Sequence, residues 1–132
     1  MALIDHLGMT VDDIPAAIAQ WDPILTELGY TRRDADNGVS WDNGSETELI
    51  LRPARAAGTG PHVHGHVGWQ HLAFDIPSPE EVDRLHAIAV DAGWTVVRDP
   101  KKYPRFNERY YASFVEDANG IRIEFAYNPP RT

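Results

Sequence analysis

Ile4-Asp5-His6-Leu7-Gly8-Met9-Thr10-Val11 and Trp69-Gln70-His71-Leu72-Ala73-Phe74-Asp75-Ile76 share one grammar, and the fold follows from reading them together. Each is a short run with apolar residues at alternate positions and a single histidine near its start. Each leads into a helical run that stops at glycine, Leu28-Gly29-Tyr30 in the first case and Ala92-Gly93-Trp94 in the second. The spacing from histidine to glycine is nearly the same in both. A strand, a crossover helix and a glycine stop therefore occur twice, and self-similarity on this scale marks a repeat architecture.

The helix signals support the repeat. Ser78-Pro79-Glu80-Glu81 has the form of a capping box with proline at the first helical position. Val82, Leu85, Ile88 and Ala89 then follow at helical spacing. The first helix is expected to begin at Asp12 or Asp13, with Pro15 near its start, and to bury Ile14, Ile18, Trp21, Leu25 and Leu28. Pro23 lies inside it and predicts a kink or a split near Trp21.

Short strands follow each helix. Val39-Ser40-Trp41 and Thr47 to Arg52 flank Asp42-Asn43-Gly44, a strong hairpin signal. Trp94 to Arg98 reads as a strand, and Tyr110 to Val115 pairs with Ile121 to Ala126 around Asp117-Ala118-Asn119-Gly120. Asp99 to Arg109, rich in proline and basic residues, reads as a loop inserted only in the second half. The predicted class is α+β: two tandem βαβββ modules whose sheet curls around a ligand cavity. Module 1 covers about 1–58 and module 2 about 66–128, joined by a linker of about 53–65, all within one domain of 132 residues.

Alternation along a strand sends neighbouring side chains to opposite faces. Leu7, Met9 and Val11 face the crossover helix, which turns His6, Gly8 and Thr10 the other way. Leu72, Phe74 and Ile76 likewise leave His71 on the opposite face. Ile121, Ile123 and Phe125 leave Arg122 and Glu124 there, and Leu49 and Leu51 leave Glu48 and Arg52. A single histidine in a strand is more often packed or solvated than a ligand. Histidine at matched positions twice shifts the balance toward a metal site of imidazole and carboxylate donors, suited to Zn, Fe, Mn, Co or Ni.

Composition narrows the alternatives. The chain has no cysteine, which excludes a disulfide framework, a thiolate metal site and a cysteine nucleophile. A formal net charge of −8 argues against a nucleic-acid partner, which requires clustered Lys and Arg. There is no polybasic patch for an anionic membrane, no apolar run of spanning length and no basic n-region ahead of an apolar run. A cytoplasmic protein acting on a small molecule is the expectation.

Three stretches carry a resemblance to a known family: Ile4 to Val11, Gln70-His71-Leu72-Ala73-Phe74, and Phe114-Val115-Glu116-Asp117-Ala118-Asn119-Gly120-Ile121-Arg122-Ile123-Glu124-Phe125. The chain resembles the vicinal oxygen chelate superfamily, which includes glyoxalase I, methylmalonyl-CoA epimerase, fosfomycin- and bleomycin-resistance proteins and extradiol dioxygenases. The resemblance implies that His6, His71 and Glu124 are ligands of a divalent metal, with Glu48 in the fourth position as in glyoxalase I. It implies a lyase or isomerase that moves a proton next to a carbonyl through a metal-stabilised enediolate, Glu124 and Glu48 shuttling the proton. Phe114 stands where dioxygenases carry a tyrosine, which argues against catechol cleavage.

The expected substrate contacts are Arg52, Trp69, Tyr110, Phe114 and Arg122, with Arg105 and Arg109 as further candidates for an anionic group. The competing reading is a protein that sequesters a small aromatic molecule or antibiotic against an apolar wall of Trp41, Trp69, Tyr110 and Phe114. His62, His64 and His66 in the linker form a separate alternating set, more in keeping with exposed linker residues than with a metal site. A homodimer is expected, with each site built within one chain or shared across two.

Overall fold

The computed structural model describes residues 3–56 and 59–130, so Ala57 and Gly58 of the expected linker lie outside it. The chain runs β1 (His6–Val11), α1 (Ile14–Glu27), β2 (Thr31–Ala35), β3 (Gly38–Asp42), β4 (Glu48–Pro53), β5 (Leu72–Asp75), α2 (Pro79–Asp91), β6 (Thr95–Lys102), β7 (Tyr111–Glu116) and β8 (Arg122–Tyr127). This is the βαβββ pattern twice. The chain divides into two compact units, residues 1–61 and 62–132, each with one helix and one four-stranded mixed sheet. The strand orders correspond, β1-β4-β3-β2 and β5-β8-β7-β6. In each unit the opening strand pairs in parallel with the closing one, and the helix makes the crossover that parallel pairing demands.

In the first unit Asp13 caps α1, its side chain accepting from the Ala16 amide at 3.0 Å. Trp21, Ile24 and Leu25 are fully buried and Ala17 nearly so, one stripe at helical spacing that packs over Met9, Val11, Leu49 and Leu51. Pro23 does not split the helix. The hydrogen bond its ring removes is the one to the Ala19 carbonyl, and both residues lie on the exposed side, where water can satisfy that oxygen. Trp41 is also fully buried, its indole N–H donating to Asp22 at 2.9 Å. It belongs to the core beneath α1 and not to an apolar wall on the open face.

In the second unit Ser78 accepts from the Glu81 amide at 3.2 Å, which makes half of the expected capping box. The other half does not form, because the Glu81 carboxylate binds Arg84 at 2.6 Å instead of turning back. Val82, Leu85 and Ala89 pack α2 over the sheet face carrying Ile123 and Phe125. The strand β6 runs to Lys102, past the expected end at Arg98, with register shifts on the way. The inserted loop is therefore shorter than the sequence suggests, from Tyr103 to Tyr110.

The segment from His62 is built into this unit. The His62 amide donates to the Asn119 carbonyl at 2.9 Å, and its Nε2–H donates to the Trp69 carbonyl at 2.8 Å. This contact depends on Gly120, which has φ +74° and whose missing side chain leaves room for the His62 carbonyl. Gly120→Ala is expected to lower the unfolding free energy by more than about 1 kcal/mol, since it imposes both a disfavoured φ and a backbone clash. Urea denaturation reads this directly; unchanged stability would show that His62 does not dock on the β7–β8 turn.

Candidate metal and substrate site

The second unit buries a carboxylate. Glu124 on β8 is only 3% exposed, and an ionised carboxylate at that depth is costly unless both oxygens are bonded. Both are. The Tyr110 hydroxyl donates to Oε2 at 2.5 Å, and His71 Nε2 lies 3.0 Å from Oε1. Burial, and after it the hydrogen bond to Glu124, pushes the Tyr110 phenol well above its ordinary value. The phenol therefore remains a donor at every working pH. An aromatic cluster surrounds these groups: Phe114 meets the His71 ring edge-on at 5.5 Å, and Tyr103 packs against both Phe114 and Tyr110 at 6.1 Å.

The first unit presents a more open version. His6 at the start of β1 stands directly opposite Glu48 at the start of β4, so the two side chains leave the sheet on the same face. A groove of about 860 Å³ runs along this face, lined by His6, Gly8, Thr10, Asn37, Ile50 and Arg52 among others. Glu48 does not line that groove. It lines a separate pocket with Ile4, Asp5, Asp42 and Glu46.

A parallel between the units concerns the other nitrogen of each histidine. His6 Nδ1 is 2.7 Å from Asp5 Oδ2, and His71 Nδ1 is hydrogen-bonded to Gln70 Oε1. In both modules the preceding residue holds Nδ1, and in the second module Nε2 faces Glu124 Oε1. Ligand histidines are oriented in this way, by a carboxylate or carbonyl on the nitrogen that does not bind the metal. Among the described residues no group of three or more His, Asp and Glu side chains is gathered into one cluster. The donors come as two pairs, one His and one Glu in each unit. Their nitrogen and oxygen chemistry suits a divalent cation.

A sequence model of the glyoxalase/bleomycin resistance protein/dioxygenase superfamily matches residues 3–125. The chain belongs to this superfamily. An uncharacterised Bacillus subtilis protein, YqjT, is 29% identical over 121 residues, spanning 90% of this chain and 94% of its own. The crystal structure of a Bacillus halodurans protein provisionally named a glyoxalase has a TM-score of 0.78 at 28% identity, covering 96% of each chain. The fosfomycin resistance protein FosX from Mesorhizobium loti has a TM-score of 0.68 at 13% identity, over 96% of this chain and 92% of its own, a likeness of fold alone. Superfamily members bind small molecules, many are enzymes and divalent metals are common among them. No helix among the described residues is long and apolar enough to cross a membrane.

Within this superfamily fold, two of the expected substrate contacts are already engaged. Arg122 forms an ion pair with Glu116 across the β7–β8 ladder at 2.6 Å, and the Trp69 indole N–H donates to the Arg122 carbonyl at 2.9 Å. Arg109 donates to the Pro130 carbonyl at 2.9 Å, and Arg105 stacks over Phe106. Arg52 remains on the groove, its guanidinium donating to Asn37 at 2.7 Å. Phe114 and Tyr110 sit beside His71 and Glu124.

The two glutamates are not equivalent in register. Glu48 pairs with His6 itself, whereas Glu124 pairs with Ala73, two residues beyond His71. The position matching Glu124 in the first unit is Ile50. Strand alternation sends His6, Glu48, His71 and Glu124 away from the helix-packed faces but does not fix the stagger along the strands. Asp5 and Gln70 were legible only as polar neighbours of the histidines, and Tyr103 carried no signal.

Because a carboxylate can only accept, the Asp5 contact requires His6 to carry its proton on Nδ1. Nitrogen-15 NMR of the metal-free chain at pH 8 should show that tautomer at His6, and Asp5→Ala should shift it toward the Nε2–H form. A wild-type His6 protonated mainly on Nε2 would contradict the orienting role of Asp5.

Proposed function

We propose that the protein is a metal-dependent enzyme of the glyoxalase I kind, a lyase or isomerase that moves a proton on the carbon next to a carbonyl of a small substrate. The observation that carries this reading is the pairing of one histidine and one glutamate on the helix-free face of both sheets, each histidine held through Nδ1. In this reading His6, His71 and Glu124 hold one divalent cation and Glu48 is the fourth donor or an adjacent base. Zn, Ni, Co, Mn and Fe all accept such donors. When bound, the cation supplies Lewis-acid polarisation of the substrate carbonyl and so makes the neighbouring C–H more acidic.

The remaining work falls to side chains of this chain. Proton removal needs a carboxylate that can approach the substrate carbon. Glu124 and Glu48 are the candidates, and Glu48 is the freer, since Glu124 has both oxygens engaged. Arg52, on the groove beside His6 and braced by Asn37, is placed to hold an anionic part of the substrate. Phe114 and Tyr110 keep water from the carboxylate on the His71 side. A specific observation favours one rival: the cluster of Tyr103, Phe106, Tyr110 and Phe114 is a surface on which an aromatic molecule could stack without turnover.

The test is solvent deuterium exchange into methylglyoxal hemithioacetals and acyl-CoA thioesters with the metal-loaded protein. Exchange at the carbon next to the carbonyl is expected. Glu48→Gln should slow it by about 10²- to 10⁴-fold, the usual worth of a positioned base. Sedimentation of the same sample should give a homodimer. Binding of these compounds without any exchange would favour the sequestering reading.

A further inference from the structure

We infer that Tyr110 is a positioning residue, which fixes the Glu124 carboxylate so that only Oε1, the oxygen beside His71 Nε2, is offered to a cation. This rests on the metal-dependent reading above and adds a residue whose side chain is not itself a ligand. The geometry is that of a three-part clamp. Tyr110 lies just ahead of β7, and its hydroxyl reaches Glu124 Oε2 at 2.5 Å while His71 Nε2 sits 3.0 Å from Oε1. A carboxylate with one oxygen held by an O–H donor has that oxygen turned away from any ion at the other. Such partners typically orient metal-binding carboxylates, and removing one costs about 10- to 100-fold in metal affinity.

Three observations make the hydroxyl a fixed support and not a passing surface contact. Tyr110 is half-buried, with its ring edge-on to Phe106 at 5.4 Å and to Tyr103 at 6.1 Å. Its backbone is pinned at both groups, the amide donating to the Asn107 carbonyl and the carbonyl accepting from the Tyr103 amide, each at 2.9 Å. The loop that carries it is tied down by Asn107, whose side-chain amide donates to Asn128 at 3.1 Å and to the Pro129 carbonyl at 2.7 Å. The insertion found only in the second module therefore delivers a rigid phenol to a buried carboxylate. Glu48 in the first unit lies in no such aromatic enclosure. The difference assigns the fixed, one-oxygen donor role to Glu124.

The experiment uses the full chain and Co²⁺ as the probe, with affinity from competition against a chelator and coordination from the visible absorption of the bound ion. Tyr110→Phe keeps the ring and removes the hydroxyl. It should weaken Co²⁺ binding by about 10- to 100-fold and change the intensity of the cobalt bands as Glu124 becomes free to bind through both oxygens. Tyr103→Phe removes a buried hydroxyl from the same cluster that has no hydrogen-bond partner, and should change neither. Unchanged affinity and spectrum in Tyr110→Phe would overturn the inference and leave the metal site standing, as would equal losses in Tyr103→Phe. A wild-type chain that takes up no Co²⁺ would overturn both readings. Should Tyr110→Phe not fold, Glu124→Gln settles the point: spectra of the cobalt form that match wild type would show that Glu124 is no ligand for Tyr110 to position.

Discussion

In each unit the parallel pairing of the first and last strands brings the two ends of a module together. A parallel pair cannot be closed by a tight turn, so a helix must cross between, and that helix covers one face of the sheet. The other face is left to whatever the alternate positions carry. Because β1 and β4 are adjacent, as are β5 and β8, a histidine at the beginning of a module comes to lie beside a glutamate near its end. The chemistry is a product of topology before any single contact is considered.

The modules spend this opportunity differently. The first leaves its pair on an open face, with a groove and the Arg52–Asn37 pair alongside. The second inserts the loop from Tyr103 to Tyr110, which closes over Ala112 and Ala126 and makes a second small core on the face opposite α2. That enclosure is why Glu124 is buried and why it requires two hydrogen-bond partners. The histidine and glutamate of the first unit are thus the more exposed pair, those of the second the more enclosed.

Much of this was legible in the residues. The repeated histidine strands, the glycine stops and the Ser78 cap identify the modules, and alternation turns His6, Glu48, His71 and Glu124 away from the helix-packed faces. The strand β2 was not legible, since Thr31–Ala35 is exposed throughout and shows no apolar alternation; it exists because β3 offers it an edge. The stagger of Glu124 relative to His71 depends on how β5 and β8 slide past each other, which no single strand encodes. The Tyr110–Glu124 bond depends on the path of a loop whose anchor, Asn107, reads as an ordinary loop polar residue.

The proposed function requires both His6 and His71 to serve the same ion. The direct measurement is metal stoichiometry and affinity, by calorimetric titration with Zn²⁺, for the wild-type chain and for His6→Ala and His71→Ala. One ion per chain in the wild type, with affinity lost in both variants, is the predicted result. Undiminished binding in either variant would show that one pair holds the ion without the other, and would contradict a site built from both modules.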